Sequence, residues 1–330
     1  MSDFLSRRRF IVGIGAVAVS VLPINGLGNS LEPPCNPPLH LPIDLLYLEN
    51  LITPAPPAIQ FGYAAITWGG NDLQAIKEIS ELGFHGIQLR SNILEGYGKR
   101  PQALKELLAQ HRLEMVALSS GGVSIGSGTE ADEIAKHVLH AKFVHDVGGR
   151  YLQVTDSARP KGRKPSADDF KQLGKVLTEI GKRALDLGVP VGYHNHMNSL
   201  GEAPDEVDQI LDAADPRYLK LELDVAHYQQ GGGDPAMAIK KYRDHLLFLH
   251  IKDVQSPVPA AGGEQPRPYR FVELGRGKVD LPAVFKAIND VKFRGWAVVE
   301  LDSVPDSTRT PKEAAMINKR YLEEKLGMKI

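Results

Sequence analysis

From Gln60 to the C-terminus the chain alternates between two spacings of apolar residues. Short runs rich in Val, Ile, Leu and Tyr, bounded by turn residues, read as strands. Longer stretches with apolar positions every three or four residues, opened by Ser, Asp, Asn or Pro and often closed by Gly, read as helices. "QFGYAAIT" predicts a strand, "NDLQAIKEISELG" a helix and "FHGIQLR" a second strand. The pairs continue through "RPQALKELLAQH" and "LEMVALS", "TEADEIAKHVLHAKFVHDVG" and "RYLQVT", then "SADDFKQLGKVLTEIGKRALDLG" and "VPVGYHNH". "APDEVDQILDAA" and "RYLKLELDVAH", "DPAMAIKKYRDH" and "LLFLHIKD", "DLPAVFKAIND" and "GWAVVELD" come next, and "RTPKEAAMINKRYLEEKLG" closes the series as an eighth helix. Eight strand–helix units in about 270 residues match a (β/α)8 TIM barrel, typically ~250 residues long. A doubly wound open sheet would place a glycine-rich phosphate turn after the first strand, and "AITWGGND" is a poor match to one.

Barrel enzymes carry their chemistry at the C-terminal ends of the strands. Those ends hold Gln88 and Arg90, Gln153 and Thr155, His194 and His196, Glu222 and Asp224, His250 and Lys252, Glu300 and Asp302. Strand side chains alternate with period two, so each pair is expected to face the barrel axis, with Asn195 on the opposite face from His194 and His196. Burying so many polar groups at one level is costly unless they pair or bind a cation. Imidazoles with carboxylates and no thiolate suit one divalent ion, Mn²⁺, Co²⁺, Zn²⁺ or Mg²⁺. One residue per strand gives the expected ligands: His194, Asp224, His250 and Glu300. The alternative is an ion-pair network that binds no metal.

The remainder of the chain limits the function classes. A formal net charge of −1 leaves no basic footprint for nucleic acid, and the single cysteine, Cys35, excludes a disulfide framework. "SRRRFIVGIGAVAVSVLPINGLG" places Arg7–Arg8 before a modest apolar run, as in a Tat signal over residues 1–30. It predicts engagement of the Tat translocase, a periplasmic or secreted destination and no stable membrane insertion, because the run falls short of the roughly 20 residues of a span. Residues 31–59 carry eight of the 23 prolines and read as an extended linker or N-terminal arm. Residues 60–330 are the expected barrel. The oligomeric state stays open, a homo-oligomer included.

"VGYHNH", "LKLELDVAHYQQGGGDP", "LLFLHIKD", "LGRGKVDLPAVFKAI" and "GWAVVELD" together resemble the sugar phosphate isomerase/epimerase superfamily of xylose isomerase-like barrels. That superfamily includes D-tagatose 3-epimerase, hydroxypyruvate isomerase and inosose dehydratase. The resemblance covers about residues 60–325 and implies a metal held by Glu, Asp, His and Glu from strands 5 to 8. Asp224 and His227 fit the family's D-x-x-H, His250 its strand-7 histidine and Glu300 its strand-8 glutamate. Position 194 departs, with histidine where the epimerases carry glutamate, so the paired glutamates that exchange protons on opposite faces of a substrate are reduced to Glu300. A histidine there resembles the inosose dehydratase branch.

The expected substrate is a small sugar or keto sugar whose carbonyl and neighbouring hydroxyl are chelated, so that the enediolate left by loss of the α-proton is stabilised. Reprotonation elsewhere isomerises or epimerises; expulsion of a neighbouring group eliminates. Beside Glu300, His196 is the expected acid–base group, and Lys252 can polarise a carbonyl or act as acid, or simply pair with Asp253 or Glu222. His227, Gln88, Gln153 and Arg276 are expected to bind substrate. The long stretch between strand 7 and its helix reads as a lid or rim, from which Arg270 and Arg276 can reach an anionic or polyhydroxyl group. A non-catalytic sugar-binding barrel and an endonuclease of the same superfamily are the alternatives. The endonuclease requires a basic face that this chain lacks.

Overall fold

Eight parallel strands hydrogen-bond edge to edge until the last meets the first. The structure, a computed structural model, describes residues 59–126, 128–258 and 267–330. The barrel strands are β1 (Ile59–Ala64), β2 (Gly86–Arg90), β3 (Glu114–Val123), β4 (Tyr151–Asp156), β5 (Val191–His194), β6 (Leu219–Asp224) and β7 (Leu246–Ile251). After β7 a two-stranded antiparallel ribbon, β8 (Asp253–Gln255) and β9 (Arg270–Val272), precedes the eighth barrel strand, β10 (Gly295–Val299). The helices are α1 (Asp72–Glu81), α2 (Ile93–Tyr97), α3 (Pro101–Gln110), α4 (Glu130–Val147) and α5 (Ala167–Asp186). They continue as α6 (Pro204–Ala213), α7 (Val225–Gln230), α8 (Pro235–Lys241), α9 (Leu281–Asp290) and α10 (Pro311–Arg320). Among the described residues, no helix is long and apolar enough to cross a membrane. The signal expected in residues 1–30 and nearly all of the linker lie outside the described residues, and Ile59 already belongs to β1.

Strand parity divides the molecule into two cores. Residues of one parity, among them Tyr63, Ile87, Leu152, Tyr193, Leu221, Leu249 and Val299, pack beneath the helices. Residues of the other parity fill the barrel: Ala64, Val116, Phe248, Trp296 and Val298 form a separate apolar plug. The Phe248 ring stacks on Tyr151 with centroids 5.3 Å apart. Trp296 occupies space that any side chain at Gly86 would claim, which explains a glycine at the start of β2. Along the same inward parity, Gln88, Gln153, His194, Glu222, Asp224, His250 and Glu300 are all buried. The plug seals the barrel beneath them.

The helix starts agree with the sequence signals. Asn71, Ser166, Asp234, Asp280 and Thr310 cap α1, α5, α8, α9 and α10 with their side chains, and Ser166 and Thr310 close capping boxes with Asp169 and Glu313. Two expectations are corrected. The apolar pattern predicts a sixth strand running through "DVAH", but β6 ends at Asp224 and α7 begins at once, because the Asp224 carboxylate accepts from the backbone N–H groups of Ala226 and His227. His227 is therefore a helical residue and not part of a strand or loop. The pattern also extends the fifth strand to His196, but β5 ends at His194, and His196 stands in the turn beyond it.

The packing around the barrel can be tested at two places. On α5, a Cβ at Gly181 would overlap the Tyr218 carbonyl. Helix propensity favours Gly181→Ala by ~1 kcal/mol, whereas overpacking costs about 1–3 kcal/mol. The denaturation midpoint should fall, while Gly96→Ala on α2, with open space around it, should not destabilise. Between β3 and α4, Ser120 Oγ lies 2.6 Å from His137 Nδ1 and 2.7 Å from His140 Nδ1. Glu133 and Lys136 are the charged groups beside them. Burial, with Lys136 nearby, pushes His137 down to about 4. A histidine held neutral in the fold contributes stability that is full above its unfolded value near 6.5 and is lost as pH falls towards 4. Melting temperatures across that window should fall for the wild type and fall less for His137→Gln, the remaining slope belonging to the other histidines that burial pushes down, His140, His196 and His227.

Candidate metal centre

β5, β6, β7 and β10 deliver His194, Asp224, His250 and Glu300 to one point, with a ligand atom of each within 4.8 Å of all the others. His250 Nδ1 is 3.5 Å from Asp224 Oδ2 and 3.4 Å from Glu300 Oε1. Two ligands each ~2.1 Å from a tetrahedral ion stand about 3.4 Å apart. His194 Nδ1, Asp224 Oδ2 and His250 Nδ1 are buried without a hydrogen-bond partner, an expensive condition that a cation would relieve. Two neutral imidazoles and two carboxylates balance a divalent charge. The donor set fits such an ion.

Asp224 and His250 are oriented through their other atoms. Asp224 Oδ1 accepts from Ala226 and His227 N–H at 2.8 and 2.7 Å, which leaves Oδ2 for the cluster. The strand end bearing it is clamped by Asn195, whose Oδ1 accepts from Asp224 N–H at 2.9 Å and whose Nδ2 donates to Asp224 O at 3.2 Å. His250 Nε2 donates to Gln88 Oε1 at 2.9 Å, which fixes a proton on Nε2 and turns Nδ1 to the cluster, and Glu222 Oε1 lies 2.5 Å from Nε2 as a counter-charge without hydrogen-bond geometry. Glu222, fully buried, also reaches within 3.6 Å of His194 Nδ1. Burial by itself would raise the pKa of Glu222, but His250 and His194 outweigh it and keep the carboxylate ionised. Burial likewise opposes charge on His250, and Glu222 and Glu300 overcome it, favouring a second proton on Nδ1 whenever no cation is bound there. A divalent ion competes for that same negative field.

Lys252 stands beside this group as a fixed cation. Its ammonium donates to Glu300 Oε1 at 2.9 Å and Asp302 Oδ1 at 2.6 Å, and lies 4.0 Å from the Phe271 ring centroid. Burial disfavours the charge, but Asp302, Glu300 and Asp224 hold it protonated. Its partners are thus carboxylates just beyond β10, and not the expected Asp253 or Glu222. Asp253 is instead consumed by the "LGRGKVD" turn, accepting from the N–H groups of Gly275, Gly277 and Val279.

Two further histidines flank His194, and His194, His196 and His227 form a second close group. His196 Nδ1 is 2.6 Å from the Met197 carbonyl, which can only accept, so Nδ1 carries the proton and Nε2 keeps its lone pair. Burial, then His194 and Lys252, lower its basicity and keep it neutral. His227 turns Nδ1 to the Met197 N–H at 3.1 Å and Nε2 to the Lys252 ammonium at 3.2 Å, two donors that compete for the single lone pair of a neutral ring. Burial and Lys252 hold His227 neutral as well.

Of the residues expected to bind substrate, Gln88 is engaged with His250, and Gln153 is buried on β4 with Oε1 unpartnered. Arg276 stands apart from the cluster, half exposed in the turn, with Nη1 3.5 Å from Glu273 Oε2. Glu222, Asn195 and Asp302 carry parts of the site that the sequence reading leaves without a role. The period-two register of β6 already places Glu222 beside Asp224, whereas nothing local in the sequence marks Asn195 as the clamp.

Asp224→Asn separates the two uses of this side chain, because asparagine keeps an acceptor for the α7 N-terminus but loses the anionic oxygen. Metal analysis should find one divalent ion per wild-type chain and at least a 100-fold weaker hold in the variant, with the apo melting temperature preserved. Equal metal content in both would remove the centre.

The geometry can be set beside known proteins. Residues 76–323 match the family described as xylose isomerase-like TIM barrel. Inosose dehydratase 2 of Bacillus cereus is 25% identical over 298 residues, covering 82% of this chain and 98% of that enzyme. Among solved structures, IOLI protein with a binding zinc atom superposes with a TM-score of 0.66 at 19% identity, over 80% of this chain and 97% of that one. The 3-keto-D-glucoside 4-epimerase YcjR from E. coli superposes with a TM-score of 0.64 at 18% identity, over 81% and 99%. At those identities the structural likeness is one of fold, and the sequence match over three-quarters of the chain decides the rest: this protein belongs to the xylose isomerase-like TIM barrel family.

Proposed function

We propose that this chain is an exported, divalent-metal-dependent lyase that removes the proton α to the carbonyl of a keto sugar and expels a neighbouring substituent. The observation that carries this reading is the asymmetry of the site. Glu300 is the one carboxylate of the family's epimerase pair that remains, and the nearest substitute, Glu222, is fully buried and turned onto the histidines. A proton exchange between two carboxylates on opposite faces of one carbon therefore lacks its second partner.

The chain's own groups suit elimination better. A divalent ion held by His194, Asp224, His250 and Glu300 would supply Lewis acidity towards a carbonyl oxygen. His196, neutral and with Nε2 unprotonated, is placed to take up a proton. Lys252, held as an ammonium by Glu300 and Asp302, is a donor to an oxygen on which negative charge develops or to a departing hydroxyl. The apolar plug below excludes water from the floor of the site. The likeness to inosose dehydratase 2, which spans most of both chains, supports the same reaction class. Export rests on the arginine pair and apolar run of the first 30 residues.

Incubation of the metal-loaded protein with 3-keto sugars, inososes and ketohexoses in deuterated water tests the reading. Loss of water or an alcohol from one substrate, with solvent exchange at the α-carbon, is expected. His196→Gln should slow that exchange by about 100-fold or more. Deuterium retained in a product of unchanged formula would mean isomerisation or epimerisation instead, and saturable binding without exchange would mean a sugar-binding barrel.

A further inference from the structure

Beyond the metal cluster lies a second polar region, built by the ribbon after β7 and the segment after β10. One cavity there, of about 430 Å³, is walled by Arg270, Arg276, Arg309, Glu273 and Ser307. A second, of about 420 Å³, shares Arg270, Pro305 and Ser307 with the first and continues to Phe271 and Asp302. Those last two residues touch the catalytic region directly: Asp302 accepts from Lys252 at 2.6 Å, and the Phe271 ring packs on Lys252 and, at 4.6 Å between centroids, on His227. The two spaces adjoin along a shared wall, and this recess borders the candidate active site through Phe271 and Asp302.

The charges along this recess are arranged to hold cations in place. Glu273, 1% exposed, binds Arg309 and approaches Arg276 at 3.5 Å, and Asp306 takes Arg309 Nη2 at 2.9 Å. Both carboxylates of the outer cavity are thus occupied by two of its three guanidinium groups. Arg270 is the exception: its Nε donates to the Gln255 amide oxygen at 3.0 Å, and no carboxylate among the described residues pairs with it. A guanidinium steadied by a neutral amide keeps its charge and most of its five donors for a ligand. Ser307 adds a hydroxyl to the same wall.

We propose that this recess is an oxyanion subsite, with Arg270 as its principal contact and Arg276 and Arg309 as supporting charges. Its ligand would be a carboxylate, phosphate or sulfate carried by the substrate on the side remote from the reacting carbonyl. The inference rests on the keto-sugar reading and narrows it to keto sugars that bear an acidic substituent. Phe271 and Asp302 would lie between the sugar ring and the anionic group.

Two measurements test this separately from the reaction itself. Calorimetric titration with inorganic phosphate and with glucuronate, on the full-length wild type, Arg270→Gln and Asp224→Asn, asks whether the recess binds anions. Arg270→Gln should weaken binding about tenfold or more, the usual effect of removing a charge-assisted contact, and Asp224→Asn should not. Binding that survives Arg270→Gln, or vanishes with Asp224→Asn, overturns the proposal, the second result because the anion was then on the metal. The two probes distinguish a carboxylate from a phosphate preference. If Arg270→Gln does not fold, Arg276→Gln, half exposed, replaces it with the same expectation in smaller degree.

The second measurement compares kcat/KM for a keto sugar and its carboxylated counterpart. The wild type should prefer the acid, and Arg270→Gln should reduce that ratio about tenfold; an unchanged ratio overturns the proposal. Absence of turnover on any substrate would count against the keto-sugar reading while leaving the phosphate titration to decide on the subsite.

Discussion

Four carboxylates, Glu222, Asp224, Glu300 and Asp302, stand around the mouth of this barrel with the ammonium of Lys252 among them. The first three are buried. Such a group survives folding only if positive charge is brought to it, since uncompensated ions in a protein interior cost several kcal/mol each. Histidine protonation can meet part of that demand, as the pull of Glu222 and Glu300 on His250 indicates. A divalent cation meets it more completely and matches the ligand spacing. The need for positive charge at this one point organises the strand ends, the ligand orientations and the position of Lys252.

Division of labour between atoms of one side chain makes the cluster compatible with a rigid fold. Asp224 uses one oxygen to begin α7 and turns the other inward. His250 commits Nε2 to Gln88 and turns Nδ1 to the cluster. The Asn195 side chain ties the end of β5 to β6 through two hydrogen bonds to the Asp224 backbone, which fixes the spacing of His194 and Asp224. The same logic sets the chemistry. His196, by donating to a carbonyl, keeps a basic nitrogen, whereas His227, set between the Met197 N–H and the Lys252 ammonium, has its one lone pair already taken by a donor.

The segment between β7 and β10 serves two purposes. Its glycine turn wraps Asp253, and Gly277 is required because a side chain there would displace that carboxylate. Its ribbon brings Phe271 over Lys252 and presents Arg270 to the recess beside it. Arg276 is carried by the turn away from the cluster, although its place in the long segment after strand 7 points towards the substrate. The loop therefore links a structural anchor to a second charged surface.

Strand parity is a local property, and its consequences were determined by the sequence alone. The barrel, its eight strands and the inward-facing set His194, Asp224, His250 and Glu300 were legible because a period of two survives in any parallel sheet with one face on the axis. Choice among neighbours is not local, and only the tertiary structure decided it. Lys252 could be read as a partner of Asp253 or Glu222 until the pairing of β10 with β7 placed Glu300 and Asp302 beside it. "DVAH" continues a strand pattern, and α7 starts there because Asp224 caps it while Asn195, just past the end of β5, holds that corner. Glu222 and Gln88 acquired their roles in the same way, by meeting one histidine, Glu222 from the neighbouring β6 and Gln88 from β2, 162 residues away in sequence.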